Sequence, residues 1–465
     1  MFFSVSLNRY VRFVIATSLS GALISPAIFA GAFQLWEQDS GGVGNYHSGA
    51  AAEANTAANV FYNPAGASRL KHQQISFGAA LIPLQMKYTG TVSTTTTTYI
   101  TLFNVPQPPT TSTAVDQVSN AAGDTANIVP NFSYALPLSK DWVFALSATT
   151  PFGLETDYPN ISPVNSLATK TQLRTINLNP SIAYQVNRYL SLGVGFDELY
   201  GQAIYDSNAL EPLRTDLDGW NCGYNAGLLW QFTKATRVGI SYRSAITVNA
   251  KGPSHSQTIP SLNDTASVPV NTTASADFSL PATTIFSVYH DVNSRLTLMT
   301  SAFYTQWSVF NQLIMRNLAT PTGAGTIALN ENYRDTWNLS LGGKYRITHA
   351  IWLNAGVGHD ETPTRINYRD IRLPDNDRYA VSLGVDIKPS PGFLWSMGWT
   401  HFFIPTTAIN NTLSNDTSKT NIPAYTFVNI PDVTSVALRQ QPSVGVGSVA
   451  GDVNVLGIQL TCDID

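Results

Sequence analysis

Four basic residues stand where binding chemistry is easiest to build. Arg237 and Arg243 alternate with Val238, Ile240 and Tyr242, and Lys344 and Arg346 alternate with Tyr345 and Ile347. Successive side chains of an extended chain point to opposite faces. The four cations therefore share the side away from the apolar residues. A cation on such a face can hold a carboxylate head group while the rest of a ligand lies along apolar side chains. It can equally pair with the chain's own carboxylates, such as Glu37, Asp39 and Glu53. Signatures of catalysis are missing: there is no Gly-x-Ser-x-Gly elbow, no His-Glu-x-x-His and no dinucleotide-binding glycine pattern between strand and helix. The seven histidines form no i,i+4 pair, and His359-Asp360-Glu361 reads as the solvated base of a loop. Cys222 and Cys462 are too few for a disulfide framework and lack metal-ligand spacing. No catalytic residue, metal or cofactor is expected.

Two further stretches have backbone chemistry. Asn63-Pro64-Ala65-Gly66 combines a side chain that can bond its own backbone, a residue without an N–H, and two small residues that allow close approach. It lies in the Ala/Gly-rich stretch Gly31 to Leu70, which is too short to bury a core of its own. A short helix is predicted over Ser48 to Asn59, with Ser48 as N-cap and Asn63–Gly66 as its stop. In Thr150-Pro151-Phe152-Gly153, Pro151 cannot donate to a strand ladder and Gly153 permits a bend.

The elements that must position these residues are strands. Trp337, Leu339, Leu341 and Tyr345 alternate with Asn338, Ser340, Gly342 and Lys344, and the same period of two runs through Leu190–Asp197 and Tyr379–Lys388. Trp and Tyr gather near segment ends, as in a membrane-interface girdle. Six short connections, around Ser139, Asn187, Thr233, Asn293, Thr348 and Ser390-Pro391-Gly392, read as hairpin turns. Seven long Thr/Asn/Pro-rich segments lie between them, at 89–124, 151–170, 207–215, 251–276, 309–332, 361–376 and 406–450, and read as loops. Six turns and seven loops require fourteen strands. They are placed at 72–88, 125–138, 141–150, 171–186, 189–206, 216–232, 235–250, 277–291, 295–308, 333–347, 350–360, 377–388, 393–405 and 451–464. Short turns on one side and long loops on the other describe an all-β, 14-stranded antiparallel transmembrane barrel.

Composition agrees. Of 465 residues 43% are apolar but only 12% charged, about half the usual globular share of charge. A net charge of −4 excludes nucleic acid as the implied partner. Met1 to Ala30 reads as a secretory signal, with Arg9 and Arg12, an apolar stretch from Phe13 to Ile24, and a small residue at Ala30. No later stretch of about 18 apolar residues offers a spanning helix. A secreted chain of this kind can still be integral to a membrane as a closed barrel.

Gly31-Ala32-Phe33-Gln34-Leu35, Glu37, Gly42-Val43-Gly44, Asn59 and Asn63-Pro64-Ala65-Gly66 resemble the opening of the FadL family, outer-membrane transporters of long-chain fatty acids and other hydrophobic molecules. Pro151-Phe152-Gly153-Leu154, Leu173 to Ser181, Gly239 to Ser244 and Leu373-Pro374-Asp375-Asn376-Asp377-Arg378 extend the resemblance over most of the chain. The resemblance implies a signal at 1–30, a hatch at 31–71 plugging the lumen, and a barrel at 72–465. It implies passive uptake of long-chain fatty acids or other hydrophobic compounds across the outer membrane of a Gram-negative bacterium. It also implies a gate at Asn63, Pro64, Ala65 and Gly66, and a lateral exit into the bilayer at a kink formed by Thr150, Pro151, Phe152 and Gly153. Partners would be the ligand, outer-membrane lipid and the barrel-assembly machinery, with a monomer as the expected state. The family's C-terminal aromatic is missing, since the chain ends Thr461-Cys462-Asp463-Ile464-Asp465. The alternative from a different class is a surface adhesin or structural barrel that uses its long loops.

Overall fold

The computed structural model describes residues 31–102, 105–159, 162–208, 211–258, 268–321, 323–422, 425–427, 433–440 and 442–464. The signal read at 1–30 lies outside them. Fourteen antiparallel strands close into a barrel. They are β1 Gln74–Leu102, β2 Thr125–Pro137, β3 Trp142–Thr149, β4 Lys170–Gln185, β5 Leu190–Asn208, β6 Pro212–Gln231, β7 Thr236–Arg243, β8 Thr283–Asp291, β9 Leu296–Thr305, β10 Thr336–Arg346, β11 Ile351–Asp360, β12 Arg378–Ser390, β13 Phe393–Phe403 and β14 Val444–Asp463. Closure comes from β1 against β14, in register from Gln74 opposite Asp463 to Ser93 opposite Val444. The first and last strands thus leave no open edge between them in lipid.

Around the hatch the wall strands are polar inward and apolar outward, whereas higher up β1 turns Ile82, Leu84, Met86 and Tyr88 inward and Gln85, Lys87 and Thr89 outward. Along β4, Thr175, Asn177, Asn179 and Ser181 are buried inside while Ile176, Leu178, Ile182 and Tyr184 stand exposed outside. Trp142, Tyr184, Trp230, Tyr345 and Trp395 ring the short-turn end, and Trp220, Trp337, Tyr379 and Phe403 the other. Cys222 and Cys462 are free thiols on separate strands, β6 and β14.

All six short turns form where expected. Asn187 Oδ1 accepts from the Tyr189 and Leu190 N–H groups, and Asn293 Oδ1 does the same for Arg295 and Leu296. The long segments differ from the loop reading. β1 runs on through the Thr-rich stretch to Leu102 and pairs with Thr110–Ala122. β5 and β6 stay paired up to Asn208 opposite Pro212. Ile246–Gln257, which continues β7, pairs with Pro269–Leu280, and Gln312–Thr320 pairs with Gly323–Asn330. Much of the "loop" composition is therefore tall hairpin. Thr is β-branched and fits a strand, so polarity alone misreads it.

The stretch from Gly31 to Leu70 lies inside the barrel. All of it is buried except Gly41, Gly42, Asn55 and Arg69. The helix expected over Ser48–Asn59 does not form. Within that span Gly49 and Ala54 take left-handed φ values of 79° and 48°, which break any right-handed run. Three short 3₁₀ turns stand instead, at Ser40–Asn45, Ala57–Phe61 and Pro64–Arg69. Asn63 starts the last of these as its N-cap, with Pro64 in the first turn, so it opens a turn and does not stop a helix. An irregular backbone needs partners for its polar groups, and the inward side chains of the wall supply them. Ser301 Oγ accepts from the Gly49 N–H at 2.8 Å, Ser287 Oγ accepts from the Ala51 N–H at 3.1 Å, and Thr400 Oγ1 donates to the Val43 carbonyl at 2.8 Å.

Candidate functional site

The hatch meets the wall in two distinct ways. At Asn63–Gly66 the turn lies directly on the backbone of the wall. Asn63 Oδ1 accepts from the Ala65 N–H at 3.0 Å, while Nδ2 donates to the carbonyls of Ala51 (2.7 Å) and Leu228 (3.0 Å). The turn sits on two wall glycines. A Cβ on Gly193 would overlap the Pro64–Ala65 peptide, and one on Gly227 would overlap the Asn63 amide. Ala65 is 0% exposed, so its small size lets the turn close on β5 and β6.

At Thr150–Gly153 the contact is a ladder. β3 ends at Thr149 and the chain returns to extended structure only at Gly153–Asp157, which pairs with β4. Hatch residues 33–38 run across this break. The Leu35 N–H donates to the Pro151 carbonyl and the Gly153 N–H to the Phe33 carbonyl, both at 2.9 Å. Gln38 closes on Thr150 from both sides: its Oε1 accepts from the Thr150 N–H at 2.8 Å and its Nε2 donates to the Thr150 carbonyl at 2.7 Å. Phe33 and Phe152 join Trp307, Phe310 and Tyr333 in an aromatic cluster, with Phe33 lying 4.7 Å from Trp307 and 5.4 Å from Phe310 between ring centroids.

The cations face inward as the alternation requires, and the hatch engages most of them. Arg237 donates to the carbonyls of Ala52 (Nε, 3.0 Å) and Glu53 (Nη2, 2.8 Å). Arg243 pairs with Asp197 and donates to the Phe61 carbonyl at 2.8 Å. Lys344 bridges Glu53 of the hatch at 2.7 Å and Asp386 of β12 at 3.1 Å. Arg346 is half-buried at the short-turn end of β10. Near the opposite end, a cavity of about 100 Å³ is lined by Tyr205, Leu213, Ala319, Ile327, Leu329 and Arg372, among others. Arg372 pairs with Asp370 at 2.7 Å and donates to the Tyr205 hydroxyl at 2.9 Å.

The profile of the outer membrane protein transport protein family (OMPP1/FadL/TodX) matches residues 21–430 of this sequence. The chain belongs to this family. It is 28% identical over 407 residues to the long-chain fatty acid transport protein of Escherichia coli O6:H1, covering 80% of this chain and 86% of that one. It is 26% identical over 435 residues to outer membrane protein P1 of Haemophilus influenzae, covering 85% and 90%. Among solved structures, a Pseudomonas aeruginosa FadL homologue superposes with a TM-score of 0.72 at 21% identity, covering 93% of this chain and all of the other. The Pseudomonas putida toluene transporter TodX gives 0.66 at 15% identity, covering 94% and 100%. The protein is thus an outer-membrane transport barrel of the FadL family and not an enzyme. Its short turns face the periplasm and its tall hairpins the outside.

Within this FadL-family barrel the sequence reading needs two corrections. Asp360 is not part of a solvated loop base: it is 3% exposed and ion-paired with Arg378. The basic residue that reaches an apolar cavity is Arg372, which sequence reasoning did not single out. Its neighbourhood was flagged, since Leu373–Arg378 carries the family resemblance, but Arg372 sits in a non-repetitive connection where no period marks its direction. Burial shifts several hatch groups, among them two carboxyls and a histidine. Glu37 is pushed up to about 7, with Arg378 and backbone N–H groups only partly offsetting it, and Asp39 up to about 6. His47 is pushed down to about 3 and is neutral at ordinary pH.

Proposed function

We propose that this barrel takes up long-chain fatty acids or similar amphipathic hydrophobic molecules by diffusion. The ligand is first held in the outward cavity and then released sideways at the break after β3. The observation that carries this reading is the break itself. There the ladder against β4 lapses between Thr149 opposite Asn177 and Gly153 opposite Arg174, and hatch residues 33–38 bond the backbone of residues 150–153. The cavity supports an amphipathic ligand, since its apolar lining ends on Arg372, whose guanidinium, paired with Asp370 in this state, can take a carboxylate head in place of that partner. Its volume, about 100 Å³, is below the roughly 300–1,000 Å³ of ordinary ligand pockets. A long chain therefore requires the hatch or the hairpins to move, and the described state is the closed one. Two named relatives, a long-chain fatty acid transport protein and a toluene transporter, support a hydrophobic cargo in general. Arg372 favours the acid. Arg237, Arg243 and Lys344 have hatch or wall partners, so they act on the ligand only after the hatch has moved.

The test is uptake by cells lacking their own transporter of this kind, given labelled oleate or labelled toluene. Oleate uptake that falls several-fold in Arg372→Ala, with toluene uptake unchanged, is the expected result. Equal uptake of both compounds regardless of Arg372 would remove the acid from this reading. No uptake of either would remove the reading itself.

A further inference from the structure

The short-turn end of the wall carries an unbalanced arc of charge. The four consecutive turns between β2 and β9 each hold one basic residue, Lys140, Arg188, Lys234 and Arg295, and all four stand exposed. Arg69 and Lys71, where the hatch leaves the lumen, stand behind them: Arg69 Nη1 donates to Gln231 Oε1 at 2.9 Å and Lys71 Nζ to Gln185 Oε1 at 3.2 Å. Among the described residues, only Lys140 of these six has a carboxylate partner, Asp141 at 3.8 Å. The opposite end is built otherwise. There Lys170, Arg214, Arg316, Arg334 and Lys419 all pair with carboxylates, at 2.7–3.7 Å. The whole chain has a net charge of −4, so placement and not composition makes this rim positive.

The same turns carry exposed apolar side chains. Leu138, Val186, Tyr189, Phe232 and Val292 flank the four cations and are 41–60% exposed. They extend the girdle of Trp142, Tyr184 and Trp230 to the tip of the wall. Such side chains belong against lipid, which sets the turns at the depth of the head groups. Arg188 lies across the Tyr189 ring, 4.6 Å from its centroid, so its guanidinium is held at that interface. Neighbouring turns are two strands apart, about 10 Å along the rim. That is too wide for two cations to share one phosphate, so each meets a separate anion. Inside the arc the charge reverses. In the cavity of about 290 Å³ at the mouth, Glu53, Asp386 and Asp463 outnumber Lys344 and Lys388. The mouth does not draw anions in, and the arc's partner lies outside the wall.

We propose that this arc binds acidic phospholipids of the leaflet next to the short turns, one phosphate head to each of Lys140, Arg188, Lys234 and Arg295. A lipid supplies both halves of the match: a phosphate for the cation, and acyl chains for the apolar residues beside it. An acidic protein answers the charge and not the side chains turned toward the bilayer. The binding is one-sided. The other two turns leave Arg346 half-buried and Lys388 on the mouth cavity, so the arc covers only the sector of the wall from β2 to β9. That sector contains the break after β3. The bound lipids fix its depth in the membrane, whatever the barrel carries.

The test uses the whole barrel folded into vesicles of phosphatidylcholine and phosphatidylglycerol, with one of the two lipids brominated at a time. Quenching of tryptophan fluorescence reports which lipid stands at the wall, and Trp142 and Trp230 report beside the arc. Phosphatidylglycerol should be preferred several-fold, as for cations at an anionic surface, and about 0.5 M salt should remove most of that preference. Lys140→Gln, Arg188→Gln, Lys234→Gln and Arg295→Gln together should abolish it, while Lys388→Gln should leave it unchanged. Inorganic phosphate should compete no better than chloride at equal ionic strength, because a free ion has no acyl chains. Better competition would assign the arc to a soluble anion and overturn the proposal. Heat-modified gel mobility reports folding. Should the four-site chain not fold, the pairs Lys140→Gln with Arg188→Gln and Lys234→Gln with Arg295→Gln decide, each losing part of the preference. A folded four-site variant that keeps the full preference overturns the proposal, whether or not an acidic protein binds the arc.

Discussion

The two contacts between hatch and wall are built from different materials. At Asn63–Ala65 the turn fills space left by Gly193 and Gly227, and lifting it would open a void on both sides. At Thr150–Gly153 four hydrogen bonds bridge a gap, two from the backbone of residues 33–35 and two from Gln38. Such bonds can be exchanged for water with a net change of only about 1 kcal/mol each. A filled contact resists sliding, whereas a ladder contact can open and reform. The geometry therefore points to an anchor at Asn63–Gly66 and a removable cover at residues 33–38. The sequence reading placed the gate at Asn63–Gly66 instead, and the experiments below separate the two assignments.

The bluntest way to break the comparison removes both contacts. Deleting Gly31–Ala65 should leave a barrel that still inserts, because the wall closes on itself through β1 and β14. Its lumen should be open, and planar-bilayer conductance should rise by about tenfold or more, as for barrels with water-filled channels. A deletion barrel with the conductance of the intact protein would show that the wall side chains, not the hatch, close the lumen.

Next comes the anchor alone. Gly227→Leu puts a side chain where the Asn63 amide lies. Overpacking of this kind destabilises by about 3 kcal/mol or somewhat more. The expected outcome is a folded barrel whose hatch is cut readily by protease. Protection equal to that of the unmodified chain would mean that the turn can shift, and the anchor assignment would fall.

How much of this was legible beforehand follows from what the residues advertise. The wall strands and six turns were readable because alternation and Asn-capped turns are local signals; Ile176 to Tyr184 and Asn293 are examples. The tall hairpins were not, because Thr91–Thr98 looks like a loop by polarity and becomes a strand only through its partners at 110–118 and 433–440. The Ser48–Asn59 helix failed for a related reason. Its alanines favour a helix in isolation, but in the lumen the backbone turns left-handed at Gly49 and Ala54, which brings the Gly49 and Ala51 N–H groups onto wall serines. The inward direction of Arg237, Arg243 and Lys344 was visible in the alternation. Their partners were not, since Glu53 is far from Lys344 in the chain. Gln38, which covers the break, carries no local signal at all.

A subtler change acts on the hatch through pH. Glu37 has an ordinary value of 4.5 and is pushed up to about 7 inside the barrel. The seated hatch therefore keeps a proton that a released hatch gives up. Seating is strongest below about pH 4.5, weakens as pH rises through the window to about 7, and has lost this contribution above it. The full swing is at most about 3 kcal/mol. Asp39, pushed up to about 6, acts in the same direction at lower pH. Protease protection of the hatch should fall between pH 5.5 and pH 8, and Glu37→Gln should flatten the upper part of that curve. A curve unchanged by Glu37→Gln would place the titration elsewhere.

The smallest expected effect is the most direct test of the comparison, because it sets one residue of the cover against one of the anchor. Gln38→Ala removes two of the four bonds across the break and leaves the Thr150 N–H and carbonyl without those partners. In the closed state both groups stay buried, since Thr150 is 3% exposed. In an open state water can reach them. The closed state should thus lose about 1–2 kcal/mol relative to the open one, which raises the open population several-fold. Because the hatch remains anchored, barrel stability and protease protection beyond residue 40 should hardly change, while oleate uptake per folded barrel should rise. Asn63→Ala should do the reverse. It removes the bonds to Ala51 and Leu228 and the turn's own cap, so the hatch loosens and becomes a protease target, and uptake changes only as far as the seal is lost. If Asn63→Ala changes uptake while the hatch stays protected, and Gln38→Ala changes nothing, then the turn is the gate and the ladder is a passive seam.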